Sequence, residues 1–161
     1  HRHTVRPVDI LINNAGVLIR AESSMETLDF EVMDRSFQVN SLGPLRVTQA
    51  LLHNIKAGQR KTIVNITSRA GSIAESKGGL YSYPTSKTAL NQISKINSIE
   101  NAPQGLICEL IHPGRVRTDM GGADAILSKA ESISSMLGVI ERLTTKSTGK
   151  FFNYDGRELP W

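Results

Sequence analysis

Three short runs of apolar, largely β-branched residues limit what this chain can fold into: residues 8–14, 61–67 and 106–111. None shows the apolar/polar alternation of a strand with one wet face, and each ends in turn-forming residues. These are Asn13-Asn14-Ala15-Gly16, the Gly/Ser-containing loop from Ser68 to Gly79, and Pro113-Gly114. Runs of this kind belong to strands buried on both faces, as in a parallel sheet. The segments between them repeat with a helical period. From Thr27, Phe30, Met33 and Phe37 share one face, and Leu45, Leu51, Leu52 and Ile55 resume the stripe after Gly43-Pro44, which predicts one long helix kinked in its middle. A second helix is predicted over 84–100, with Pro84 in its first turn and Leu90, Ile93 and Ile96 as core contacts. Residues 118–129 read as a loop or short helix, 133–143 as a helix and 149–154 as a last strand. The alternation predicts an α/β fold with an open, doubly wound parallel sheet of about four strands and helices on both faces.

Composition narrows the function classes. The 161 residues suffice for a single domain, and no repeat, linker or low-complexity segment divides them. No apolar run approaches the ~20 residues of a bilayer-spanning helix, so no membrane span is expected. The net charge of +4 is scattered along the chain without forming a basic block, so no nucleic-acid partner is expected. Cys108 is the single cysteine and sits among Leu106, Ile107, Leu110 and Ile111. It reads as a buried, inert thiol, and the absence of any possible internal disulfide suits a cytoplasmic location. The chain opens His1-Arg2-His3, with no initiator methionine and no signal-peptide pattern, and reads as truncated or processed.

Several residues have a chemical reading. Tyr83 and Lys87 form a Tyr-x-x-x-Lys pair near a predicted helix start, on one face. A neighbouring ammonium and a helix N-terminus both favour phenolate and would lower the Tyr83 pKa. Ser68 ends a predicted strand, where open α/β sheets bind ligands, and its hydroxyl can donate to a carbonyl. Asn40 precedes Pro44 by four residues, so its carbonyl has no N–H there to bond and could hold a water linked to Lys87. Asn13, Ala15, Gly16 and the Pro113, Gly114, Val116, Thr118 turn offer close backbone approach and exposed amides. Taken singly, each has an ordinary explanation: a solvated Tyr and Lys, a serine closing a turn, a proline kink, strand-to-helix turns.

In order along the chain, Asn-Asn-Ala-Gly, a helical Asn, a strand-end Ser, Tyr-x-x-x-Lys and Pro-Gly followed by Thr resemble the short-chain dehydrogenase/reductase family, over essentially the whole chain. The resemblance implies a truncated Rossmann-like fold and hydride transfer between NAD(P) and a small carbonyl or alcohol substrate. It makes Tyr83 the general acid or base and has Ser68 hold the substrate oxygen. Lys87 would tune Tyr83 and bond the nicotinamide ribose, while Asn40 would position a relay water. Asn13, Ala15, Gly16, Ile66, Pro113, Gly114, Val116 and Thr118, with Tyr83 and Lys87, would line the cofactor.

One part of the family pattern is missing. No Thr-Gly-x-x-x-Gly-x-Gly turn precedes Asn13, so the resemblance implies that two to three strand–helix units, roughly 75 residues at ~30 per unit, lie outside this chain. Three readings follow: a carbonyl/alcohol oxidoreductase represented by its catalytic part, a non-enzymatic signalling or interaction protein that keeps the fold for recognition, and a fragment with no separate function. The strand over 8–14 would then be an uncovered edge, and self-association through it is expected. The missing turn is the one that seats the pyrophosphate on a helix N-terminus. The 161-residue chain is therefore expected to bind NAD(P)H with a Kd above about 1 mM, and calorimetry returning micromolar affinity would contradict this.

Overall fold

The computed structural model describes residues 6–21 and 24–161; the opening residues His1–His3 lie outside the described residues. Four strands, β1 (Ile10–Asn13), β2 (Thr62–Ile66), β3 (Ile107–His112) and β4 (Phe151–Asn153), form one sheet in the order β1-β2-β3-β4, every pair parallel. Four α-helices accompany them: α1 (Phe30–Phe37), α2 (Gly43–Ala57), α3 (Ser82–Asn101) and α4 (Lys129–Glu141). The α/β reading and its strand count therefore hold. No helix among the described residues is long and apolar enough to cross a membrane.

Strand side chains alternate between two layers. Val64, Ile66, Ile107 and Ile111 pack with Val139 and Ile140 of α4, whereas Ile63 and Cys108 pack with Ile55 of α2, and Leu110 and Phe151 with Leu90 of α3. Helices thus cover both faces. β1 lies at one end of the sheet and pairs with β2 alone among the described strands. Its Ile12, on the α4 side, is 44% exposed.

Two helix expectations need correction. The kink before α2 is a π turn over Gln38–Leu42, in which the Gly43 N–H reaches back five residues to the Gln38 carbonyl. Pro44 sits in the first turn of α2, where its missing N–H costs least. In α3, Leu90 is buried but Ile96 is 45% exposed, because the helix turns a polar face inward: Ser82, Ser86, Lys87, Asn91, Ser94 and Ser98. Hydrogen bonds satisfy that face. Asn13 Nδ2 donates to Asn65 Oδ1 at 2.8 Å, and Asn65 Nδ2 donates to Ser94 Oγ at 2.7 Å, tying β1, β2 and α3 together.

Glu109 is an exception on the α4 side of β3. It is fully buried, one carboxylate oxygen has no partner, and the other accepts only from the Lys150 N–H at 3.3 Å and the Ser147 hydroxyl. Burial raises its pKa from the usual 4.5 to about 8, since desolvation penalises the charged form. Below 4.5 the carboxyl is protonated in both folded and unfolded chains and no penalty arises. Between 4.5 and 8 only the unfolded chain ionises, so stability falls with rising pH, and above about 8 the loss levels off. Glu109→Gln should therefore raise Tm, by an increment that grows from pH 4.5 to pH 8, as thermal melts across that range would read.

Candidate active site

The carboxyl ends of β1, β2 and β3 meet at one rim, and the sequence-predicted residues arrive there on the following turns. After β2, Ser68 caps a short 3-10 turn over Arg69–Gly71, its Oγ accepting from the Ala70 N–H at 3.1 Å. This corner is clamped to α3: Thr67 Oγ1 donates to Asn91 Oδ1 at 2.6 Å, and Asn91 Nδ2 donates to the Gly71 carbonyl at 3.2 Å. The clamp brings Ser68 against the first turns of α3, which carry Tyr83 and Lys87.

Lys87 is 4% exposed, and its Nζ donates to the Ile66 carbonyl at 3.0 Å. Burial lowers its pKa from 10.5 to about 8, which leaves the ammonium the main form at neutral pH. The partly buried Tyr83 phenol is hydrogen-bonded to Ser68, and Lys87 Nζ lies 5.9 Å from its ring centroid. Burial raises the Tyr83 pKa, and the group that opposes the rise is Ser68. The expectation that Lys87 lowers it is not met here, because the ammonium is directed at the Ile66 carbonyl.

Asn40 is fully buried and works through its side chain. Its Oδ1 accepts from the Val17 N–H at 2.8 Å, and its Nδ2 donates to the Val17 carbonyl at 2.9 Å and to Ser86 Oγ at 3.0 Å. The amide thus mimics a strand neighbour for Val17 and pins the segment after β1 onto α3. Gly16 lies beneath: a Cβ there would stand 3.3 Å from Asn40 Oδ1 and 3.4 Å from Lys87 Nζ. Asn13 turns inward to Thr48 and Asn65.

Between these turns lies a cleft of about 410 Å³. Of the predicted residues, Ile66, Ser68, Tyr83, Pro113, Gly114, Val116 and Thr118 line it. Asn40, Lys87 and Gly16 cluster at the same rim without lining it, and Asn13 and the exposed Ala15 stand outside it. Gly114 is required at its turn: φ is +82°, and a Cβ would meet Leu127 Cδ1 at 2.4 Å. Thr118 Oγ1 accepts from the Gly121 N–H at 3.0 Å within its own loop. Arg20 Nη2 donates to the Met120 carbonyl at 3.1 Å, joining the two loops that frame the cleft. Sequence reasoning missed Leu18, Thr67, His112 and Arg115 in the lining. Thr67, His112 and Arg115 had a sequence signal, since each adjoins a singled-out residue, whereas Leu18 had none.

A family model for short chain dehydrogenase matches residues 2–125. The chain belongs to the short-chain dehydrogenase family. Among its relatives is the C-signal of Myxococcus xanthus, 45% identical over 156 residues, which cover 96% of this chain and 93% of that protein. Among solved structures, the carbonyl reductase Sniffer of D. melanogaster superposes with a TM-score of 0.92 at 34% identity, covering 97% of this chain and 67% of that one. An NADPH-bound carbonyl reductase from chicken fatty liver gives 0.89 at 32% identity, with the same coverages.

In this short-chain dehydrogenase the Ser68–Tyr83 pairing has a direct test. Because the Ser68 hydrogen bond opposes the upward shift of the Tyr83 phenol, Ser68→Ala should raise the Tyr83 pKa further. Titration of ring-13C-labelled tyrosine by NMR, with Tyr83 assigned from a Tyr83→Phe sample, reads the shift. An unchanged or lower pKa would contradict the assignment.

Proposed function

We propose that this chain carries the catalytic part of an NAD(P)-dependent oxidoreductase that interconverts a carbonyl compound and its alcohol. The carrying observation is the Tyr83 phenol, hydrogen-bonded to Ser68 on the wall of a cleft, with the buried Lys87 ammonium behind it. Support also comes from family membership and from the likeness to an NADPH-bound carbonyl reductase.

The residues present fit the nicotinamide end of such a cofactor. Gly16 leaves space beside Asn40 and Lys87 that a Cβ would fill, and Ile66, Pro113, Gly114, Val116 and Thr118 offer an apolar and amide-rich wall at the strand ends. A nicotinamide bound there supplies hydride. The chain's own residues handle the proton and the oxygen. Ser68 donates to the substrate oxygen, and Tyr83, kept protonated at neutral pH by its raised pKa, transfers its phenolic proton to that oxygen. Lys87, through its bond to the Ile66 carbonyl, holds the first turns of α3 and with them Tyr83 against Ser68, and Asn40 holds the loop and helix between which a relay water would restore the proton. A cytoplasmic location, and self-association through the outer edge of β1, complete this reading.

A second reading, a signalling or interaction role without turnover, is raised by the name of the 45% identical C-signal, but that likeness does not itself argue against catalysis. Mutation separates the two. Tyr83→Phe keeps the ring and removes the proton donor, so carbonyl reduction with NADH or NADPH should fall at least about a hundredfold in kcat while Tm and circular dichroism hold. Lys87→Met should lose a comparable factor, and the two losses should not multiply, since both residues serve one proton transfer. Undiminished reductase activity in Tyr83→Phe would refute the mechanism.

A further inference from the structure

Two opposed effects set how closely the corner after β2 lies on α3. Hydrogen bonds pull it in. Ahead of Ser68, Lys87 Nζ donates to the Ile66 carbonyl and Asn91 Oδ1 accepts from the Thr67 hydroxyl. Beyond Ser68, the Gly71 carbonyl accepts from Asn91 Nδ2 at 3.2 Å and lies 3.0 Å from Thr88 Oγ1. Bulk limits the approach. Gly71 is buried against the helix, and a Cβ there would stand 2.9 Å from the Lys87 carbonyl carbon, 3.0 Å from Lys87 Cβ and 3.1 Å from Asn91 Nδ2. Its φ lies outside the left-handed region, so glycine is needed here for space and not for backbone conformation.

Ser68 and Gly71 are the two ends of one hydrogen-bonded turn. The Gly71 N–H donates to the Ser68 carbonyl at 2.9 Å, and the Ala70 N–H donates to Ser68 Oγ at 3.1 Å. On the other side, Lys87 and Tyr83 are one turn apart on α3. Each pair moves as a unit, so a change of spacing where Gly71 meets Lys87 is carried to where Ser68 meets Tyr83. Carbon atoms pack at about 3.5–4.0 Å, so a methyl group on Gly71 would hold the corner off the helix by roughly 0.5–1 Å. An O–H···O bond spans only about 2.5–3.0 Å, and an opening of that size is enough to lose it.

We propose that Gly71 is a positioning residue for the acid–base pair: the space it leaves bare against Lys87 sets the distance at which Ser68 meets the Tyr83 phenol. The inference rests on the oxidoreductase reading for what the pair does, and on geometry alone for how the pair is placed. Thr88 assists by pulling on the Gly71 carbonyl, although its one hydroxyl proton is shared with the Pro84 carbonyl, also at 3.0 Å.

NMR on the 161-residue chain tests this without cofactor or turnover. In a ring-13C-labelled sample at neutral pH, the Tyr83 Cζ resonance follows hydrogen bonding at the phenol oxygen, so Ser68→Ala should displace it in the parent chain. In a Gly71→Ala background the same Ser68→Ala change should displace it by less than about half as much, because the contact being removed is already open. If Gly71 served packing alone, Gly71→Ala would lower Tm and leave that displacement at full size, and this result overturns the inference. A parent chain in which Ser68→Ala moves nothing overturns it too. Should Gly71→Ala not fold, Thr88→Val decides, since it keeps the side chain's shape and removes the hydroxyl that pulls on Gly71. The displacement should shrink in Thr88→Val and recover in Thr88→Ser; a displacement that Thr88→Val leaves unchanged, or that Thr88→Ser does not restore, then counts against the proposal. The oxidoreductase reading fails separately: it alone falls if Gly71→Ala behaves as expected while Tyr83→Phe keeps full reductase activity. A chain that loses turnover in Tyr83→Phe but keeps the full displacement in Gly71→Ala loses only the positioning role.

Discussion

Burial of the Lys87 ammonium against the Ile66 carbonyl organises the carboxyl end of the sheet. A charged nitrogen withdrawn from water needs a strong acceptor at fixed distance, and here that acceptor is the last carbonyl of β2. The bond fixes where α3 lies along the strand and therefore where Tyr83, one turn earlier, stands relative to Ser68. The other contacts of α3 act in the same sense. Asn91 clamps the corner after β2, Ser86 receives Asn40, and Ser94 receives Asn65, so the helix is registered by hydrogen bonds where most helices are registered by apolar packing. Directional bonds have one satisfied arrangement, whereas apolar side chains tolerate sliding, and a site built from two elements gains from the former.

The same feature explains what the sequence disclosed and what it hid. The strands were legible because a buried parallel strand is a local pattern, and all four lie within the expected runs apart from the one-residue extension of β3 to His112. Tyr83, Lys87 and Ser68 were legible because their spacing and strand-end position are also local. The inward face of α3 was not, since an apolar periodicity search assigns Ile96 to the core when serines, Asn91 and Lys87 occupy it. Asn40 was singled out for its carbonyl on the strength of Pro44, but the work visible in the fold is done by its side-chain amide on Val17. That contact joins residues 23 apart, and the π turn accompanying it has no signature in composition. Lys129 reaches the cleft from a helix whose start was placed four residues too late.

Tuning of the acid also depends on packing in a way that spacing could not reveal. A Tyr-x-x-x-Lys pair suggests direct electrostatic lowering of the phenol, yet the ammonium is drawn to a strand carbonyl and burial of the ring prevails. The result is a phenol that stays protonated at neutral pH and so suits proton donation, with Ser68 limiting how far its pKa climbs. In the proposed mechanism the ammonium acts through position, since its bond to the Ile66 carbonyl holds the helix turn that carries Tyr83.

Glu109 and His112 show how location decides the meaning of an unmet polar atom. Both sit on β3, both are shifted by burial toward their neutral forms, and each keeps one side-chain atom without a partner. Glu109 is closed in beneath α4, where no ligand can reach, so its unmet oxygen only subtracts from stability, more so as pH rises. His112 stands three residues further along, at the rim where the strand gives way to the Pro113-Gly114 turn and the cleft begins. His112 lines the cleft there, so its ring is not closed off as the Glu109 carboxyl is. Desolvation disfavours the charged form of both groups, yet burial is complete only for Glu109, so the same penalty weighs on stability in the core and leaves the strand-end ring as part of the cleft lining.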